Sequence, residues 1–318
     1  MSPAPLVDLH CHGALGHEFG ADADGSRTAA GHLAASGVAH VVASLVSASA
    51  VRMRHHAVTL AGLVADGTLA GIHLEGPFLS PARRGAHDPA ALRDPDPGWV
   101  EEVVTAVGEA GAAYGIRQVT FAPELPGADR LVDALVRHRI IPAIGHTNAD
   151  ARTVARAIDA IVTARGGPAL VTHLFNGMPT FHHRDGGPVA AALAAAARGD
   201  VVVELIADGV HLAPEVVRMI FDLIGPERIA LVSDATPATG LGDGDHLLGG
   251  RSVRVTAGVA RIAEADAVIA GSTATLADCV TWAIERAGVA RGDALVAASR
   301  TPARVLGLDV DRGGRPPV

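Results

Sequence analysis

The sequence predicts a (β/α)8 TIM-type barrel, and three observations carry that reading. Short runs rich in Val, Ile and Leu alternate with Ala-rich stretches of helical periodicity, the pattern of βα units around a parallel sheet. Eight such runs can be counted, and no glycine-rich fingerprint follows the first, so closure is preferred to an open doubly wound sheet. The 318 residues exceed an ordinary domain, yet barrels of roughly 250 residues fold as single units.

Taken in order, the strands are expected at residues 6–12 (LVDLHCH), 39–46 (AHVVASLV), 69–75 (LAGIHLE) and 117–123 (RQVTFAP). The remaining four fall at 141–146 (IPAIGH), 169–175 (ALVTHLF), 201–208 (VVVELIAD) and 229–235 (IALVSDA). Helices are expected between them over 28–36, 50–66, 97–113, 127–139, 149–164, 187–198 and 213–224. Asn148 and Asp150 can cap the fifth, and Pro214 suits the first turn of the seventh. After the eighth strand, LLGGRSVRVTAGVARIAEADAVIAGS reads as a β-hairpin insertion. TATLADCVTWAIERAG then supplies the eighth outer helix, and DALVAASRTPARVLGL adds another. A single barrel is expected over residues 1–309, with a polar, frayed tail at 310–318.

Composition narrows the function. Hydrophobic residues make up 49% and aromatics only 3%, so the core must be mostly Ala, Val, Leu and Ile. A formal charge of −8 argues against a nucleic-acid surface, which calls for clustered Lys and Arg. Two cysteines cannot build a disulfide framework and suggest a reducing compartment. The first residues lack the basic-then-apolar pattern of a signal peptide, and runs such as AALAAAA are too short to span a bilayer. A cytoplasmic protein with no membrane partner is the expectation.

Sixteen histidines against one tyrosine is the oddity. His32, His40, His55, His56 and His138 read as ordinary surface residues. Others fall at strand ends. A strand alternates its faces, so His10 and His12 point the same way and Cys11 points into the outer core. Glu75 ends the third strand, His146 the fifth, and Asp234 the eighth, while His173 sits late in the sixth. In a barrel these ends converge on one mouth. Carboxylates at apolar strand ends are costly to bury unless something neutralises them. Imidazole and carboxylate together suit zinc and similar divalent ions.

The segments DLHCHG, GIHLEGPFLSPARRGAH, VTFAPE, IGHTNA, THLFNGM, HHRDGG, IADGVHLAPE, VSDAT and AGSTATL resemble the amidohydrolase superfamily. Within it they are similar to the N-acetylglucosamine-6-phosphate deacetylase family, to which HLEGPF, THLFNGM and IADGVH are the more specific. The resemblance implies Glu75, His146 and His173 as ligands of a principal metal and Asp234 as catalytic acid/base. His10 and His12 imply a second metal with Glu75 bridging and Asp234 adjoining, as in the members that carry this pair. One or two divalent ions are therefore implied, zinc first, with iron or manganese as alternatives.

The resemblance also implies an amino-sugar phosphate as substrate. Its contacts would be Ala86 and His87, Asn176 and Gly177, Arg184, Asp208 and His211, and Ile269, Ala270 and Gly271. Arg184 offers forked donors and His211 an imidazolium, as a phosphate requires. His87 would assist the acetyl carbonyl. A homodimer is implied, whose phosphate site can borrow a residue from the neighbouring subunit. The small β-sandwich that such enzymes build from flanking segments is expected to be missing here. Deacylation of another amino-sugar phosphate or N-acyl amine is the rival activity, and a non-catalytic binding protein on the same barrel is the remote one.

Overall fold

A computed structural model describes residues 5–265 and 268–308, so the tail expected at 310–318 lies outside the described residues. Eight parallel strands lie side by side in chain order. They are β1 (Leu6–Cys11), β2 (Val38–Val46), β3 (Gly71–Glu75), β4 (Ile116–Phe121), β5 (Ile141–Ile144), β6 (Ala169–Val171), β7 (Val201–Ile206) and β8 (Ile229–Val232). Helices α1 (Ala23–Ala35), α2 (Ala50–Ala65), α3 (Pro97–Glu109), α4 (Ala128–Arg137), α5 (Ala151–Arg165), α6 (Gly187–Arg198), α7 (Pro214–Ile224) and α8 (Leu276–Glu285) follow them one by one. This is the barrel that the alternating pattern predicts.

No regular ladder joins β8 to β1; individual bonds close the ring. Asp234 N donates to His10 O at 2.9 Å, and His12 N donates to Ala235 O at 2.7 Å. Ser233 Oγ donates to buried Asp8 at 2.5 Å, and Ser233 N donates to the same carboxylate at 3.2 Å. Burial pushes the Asp8 carboxyl up to about 6, against the Ser233 bonds that pull it down. The closing seam therefore runs between the residues that flank His10 and Asp234.

Alternation sorts the side chains into two cores. Outward residues such as Leu45, Leu74, Phe121 and Leu205 pack under Leu60, Val103 and Leu131 of the helices. Inward residues form an apolar floor of Val42, Ile141, Leu170, Val202 and Val232, closed from below by α10 (Thr301–Leu306), which follows α9 (Arg291–Leu295). Val7 and Leu9 join this floor, although His10 and His12 also turn toward the centre. A register irregularity between Asp8 and Cys11 accommodates the change of face. Above the floor, β2, β3, β4 and β7 contribute buried Ser44, His73, Gln118, Thr120 and Glu204, and Thr172 joins them just beyond β6. A polar layer thus separates the floor from the mouth.

Local signals explain most helix starts. Asp22, Ser49, Asp96 and Asp150 accept the N–H three residues on, and Thr275 with Asp278 forms a capping box. Asn148 does not cap α5; its side chain accepts from Arg83 Nε at 2.8 Å. His56 is a second correction. It is buried rather than a surface residue, wedged beside Gly20, where a Cβ would lie 2.7 Å from its own.

The insertion after β8 has three antiparallel strands where a hairpin was expected: β9 (Gly244–Leu248), β10 (Arg251–Thr256) and β11 (Val259–Ile262). Its inner face, Leu248, Val253, Val255 and Ile262, packs on Ala238 and Ala270 and walls one side of the mouth. Among the described residues no helix is long and apolar enough to cross a membrane.

Candidate active site

Strands β5, β6 and β8 each stop two residues short of His146, His173 and Asp234. These three adopt left-handed backbone, with φ of 46°, 26° and 49°. Such conformations cost about 1–3 kcal/mol each in non-glycine residues and persist only where surroundings enforce them. Main-chain bonds beside them do so: Thr172 N to Ile144 O, Leu174 N to Glu204 O, and Asp234 N to His10 O, all at 2.9 Å. The chain turns where the ladder ends, and each side chain swings across the barrel axis.

The ring nitrogens show what the arrangement is for. His12 Nδ1 donates to Ser44 O at 3.1 Å, and His146 Nδ1 donates to Arg83 O at 2.8 Å. His10 Nδ1 donates to the Glu204 carboxylate at 3.1 Å. Since carbonyls and carboxylates only accept, the proton of each neutral ring sits on Nδ1 and its Nε2 is a bare lone pair. Those lone pairs face one another and two carboxylates. His10 Nε2 lies 3.1 Å from His12 Nε2, and His146 Nε2 lies 3.1 Å from His173 Nε2. Glu75 Oε1 is 3.1 Å from His146 and 3.0 Å from His173, and Glu75 Oε2 is 3.2 Å from His12. Asp234 Oδ1 is 3.2 Å from His12 and 3.5 Å from His10.

Convergent lone pairs and buried carboxylates repel unless cations lie between them. Burial raises the carboxyl of Glu75, yet His10 beside it, with hydrogen bonds from His10 and His12, holds it well below the usual range. Burial works likewise on Asp234, and His10 and His12 outweigh it. Against burial, Asp234 and Glu75 raise His12 to about 9, and Glu75 and Asp234 raise His10 well above its ordinary value. The cluster therefore calls for positive charge, and a divalent ion would supply it without protons. His10 with His12 and Asp234, and His10 with Glu75 and His173, form buried groups whose ligand atoms are close enough to hold one. A third group, Glu75 with His87 and His146, has the same property, which the sequence did not suggest.

His87 is held in a different tautomer. Its Nδ1 accepts from Ser47 N at 3.2 Å, so its proton points from Nε2 toward Glu75 Oε2 at 3.3 Å. Burial keeps the ring neutral, lowering it to about 4. It is a neutral donor aimed into the mouth. Across a cavity of about 330 Å³ stands His211, whose Nδ1 donates to Asp208 at 2.8 Å. Asp208 overcomes the effect of burial and raises His211, favouring the imidazolium.

Ala86, Asn176, Gly177, Ile269 and Gly271 also line this cavity. Gly177 has φ of +60°, and a Cβ there would lie 2.7 Å from His146 Nδ1. Gly271 has φ of +63°, with Asp234 O 2.8 Å from where its Cβ would be. Three expected contacts lie elsewhere. Ala270 is buried under the insertion, and Asp208 acts through His211. Arg184 is on an exposed loop, its Nη1 2.9 Å from His183 Nε2, and does not line the cavity.

Sequence reasoning passed over Arg251, Ser47 and Glu204. Arg251 opens β10, lines the cavity and donates to Ala86 O at 3.2 Å. Nothing in its local pattern marks it. Glu204 did leave a signal: alternation puts it inward with Val202 and Ile206, and a charge on that face needs a partner.

The amidohydrolase family pattern matches residues 4–313. The chain belongs to the amidohydrolase family. Among its relatives is the N-acetylglucosamine-6-phosphate deacetylase of Bos taurus, 33% identical over 97% of this chain and 75% of that protein. The N-acetylgalactosamine-6-phosphate deacetylase of Escherichia coli O157:H7 is 32% identical over 95% of this chain and 77% of its own. Of solved structures, this amidohydrolase is similar to a mutant N-acetyl-D-glucosamine-6-phosphate deacetylase from Mycobacterium smegmatis in complex with N-acetyl-D-glucosamine-6-phosphate. The two are 41% identical with a TM-score of 0.88, covering 98% of this chain and 80% of that one. The Thermotoga maritima enzyme of the same name is 29% identical, with a TM-score of 0.83 over 96% and 78%.

Proposed function

We propose that this amidohydrolase hydrolyses the acetamide of N-acetylglucosamine 6-phosphate, releasing glucosamine 6-phosphate and acetate. The observation that carries the reading is the convergence of four imidazole Nε2 atoms on Glu75 and Asp234 at the floor of a cavity that His87 and His211 also line. Glu75, His146 and His173 would hold one divalent ion, and His10, His12 and Asp234 a second beside Glu75. We take zinc as the resident metal. Bound there, a divalent ion supplies Lewis acidity that brings the ionisation of water near pH 7.

The chain's own residues do the rest. Asp234 accepts the proton of the water that attacks the acetyl carbon, then delivers it to the departing nitrogen as the C–N bond breaks. His87 donates its Nε2 proton in a hydrogen bond to the carbonyl oxygen, where negative charge develops. His211, its imidazolium favoured by the Asp208 carboxylate, pairs with the phosphate. The Gly177 and Gly271 turns keep main chain rather than side chains against the sugar. Arg184 would reach a phosphate from the neighbouring subunit of a homodimer, since its own cavity is out of contact. The barrel over 1–309 is the catalytic unit, working in the cytoplasm.

Acetate release from N-acetylglucosamine 6-phosphate, its unphosphorylated sugar and N-acetylgalactosamine 6-phosphate tests this. Turnover fastest on the first supports the assignment. Equal turnover without the phosphate would overturn it, and preference for the galacto sugar would move the enzyme to its Escherichia coli relative's activity.

A further inference from the structure

Beneath the cluster lies a wholly buried carboxylate for which the mechanism has no use. Glu204, on β7, sits in the polar layer with no exposed surface. Its Oε2 accepts from His10 Nδ1 at 3.1 Å and from His173 N at 3.2 Å. Its Oε1 accepts from Gln118 Nε2 at 3.0 Å, while Gln118 Oε1 has no partner. No lysine or arginine pairs with Glu204 among the described residues. Its one ionisable partner is the ring of a residue whose other nitrogen points at Glu75 and Asp234.

We propose that Glu204 is the positioning residue for the metal position served by His10 and His12: by accepting the hydrogen bond from His10 Nδ1–H it fixes the tautomer and ring plane that leave Nε2 bare. The inference rests on the two-metal reading above and adds the residue on which the second occupancy depends. The effect is selective. Glu204 touches the side chain of His10, but it meets His173 only through the main chain. His146 is oriented by Arg83 O and His12 by Ser44 O, so neither ring depends on it. A partner on the far nitrogen of a metal-binding histidine is worth about 10–100-fold in metal affinity.

Substitutions separate geometry from charge. In Glu204→Gln the amide oxygen can keep accepting from His10 and His173. Its new NH2 then faces Gln118, whose amide can turn to offer the Oε1 that now lacks a partner. Glu204→Asp keeps the charge but is one methylene too short, and Glu204→Leu removes both. The test is zinc content per chain by mass spectrometry at buffered free zinc, with the 15N tautomer signature of His10 recorded alongside. Wild type and Glu204→Gln should take up two ions. Glu204→Leu and Glu204→Asp should lose about 10–100-fold in affinity for one ion, keep the other within a factor of three, and lose the Nδ1–H signature. If Glu204→Leu fails to fold, Glu204→Asp decides alone. Two ions bound at wild-type affinity by the Asp variant would overturn the inference and leave the two-metal reading intact. A single ion in wild type itself would overturn the two-metal reading, and this inference with it.

Discussion

Replacing His87 by Ala tests whether the neutral imidazole acts on the carbonyl oxygen. The ring is neutral because it is buried, and its donor is aimed because Ser47 N occupies Nδ1 at 3.2 Å. A preorganised donor at a developing oxyanion contributes about 2.7–4 kcal/mol, so kcat should fall about 10²–10³-fold with KM little changed. Ser47 also places its Oγ 2.9 Å from the same nitrogen. Ser47→Ala removes that contact but keeps the main-chain donor, a loss of about 1 kcal/mol or roughly fivefold. Steady-state acetate release, with metal content measured on the same samples, reads both. His87→Ala retaining more than a third of wild-type kcat at unchanged metal content would refute the donor role. Loss of an ion from that variant would refute it differently, by making His87 a ligand together with Glu75 and His146.

Three further outcomes follow from the geometry. Asp208→Asn should raise KM for the phosphorylated substrate about 10–100-fold, the value of a charge-assisted bond, and leave the unphosphorylated sugar unaffected. Gly177→Ala forces a Cβ to 2.7 Å from His146 Nδ1 at φ +60°, and calorimetry should show about 1–2 kcal/mol of lost stability with weaker metal uptake. His56 is lowered to about 4 by burial, then by Arg52 and His55. The folded state therefore stays neutral where the unfolded chain takes up a proton. Stability from this residue is complete above pH 6.5 and is lost as pH falls toward 4. Urea midpoints across that range should fall less steeply for His56→Gln than for wild type.

Much of this was legible in the sequence because period-2 apolar runs and strand-end polar residues are local signals. All eight strands and the helices between them overlap the segments the pattern assigned, although α1 begins at Ala23 rather than 28 and β5, β6 and β8 end early, and His10, His12, Glu75, His146, His173 and Asp234 meet at one mouth. What escaped was set by contacts between distant segments. Regular strand ladders stop before His146, His173 and Asp234, where the backbone turns left-handed, and no propensity records that. Asn148 looked like a cap, but Arg83, 65 residues away in sequence, claims its side chain. His56 looked exposed because nothing local shows that the loop holding Gly20 packs over it. Arg251 sits in an insertion whose position over the mouth depends on how three short strands fold back. Glu204 was readable from alternation alone, had a buried charge been taken as a demand for a partner.

The central claim is that Asp234 moves protons for amide hydrolysis at a metal-loaded centre. The most direct measurement is acetate release from N-acetylglucosamine 6-phosphate by zinc-reconstituted wild type and Asp234→Asn at equal metal content. Turnover in wild type that falls at least about 10²-fold in the variant is the predicted result, the range for loss of a general acid/base. Comparable turnover by the two would contradict the account.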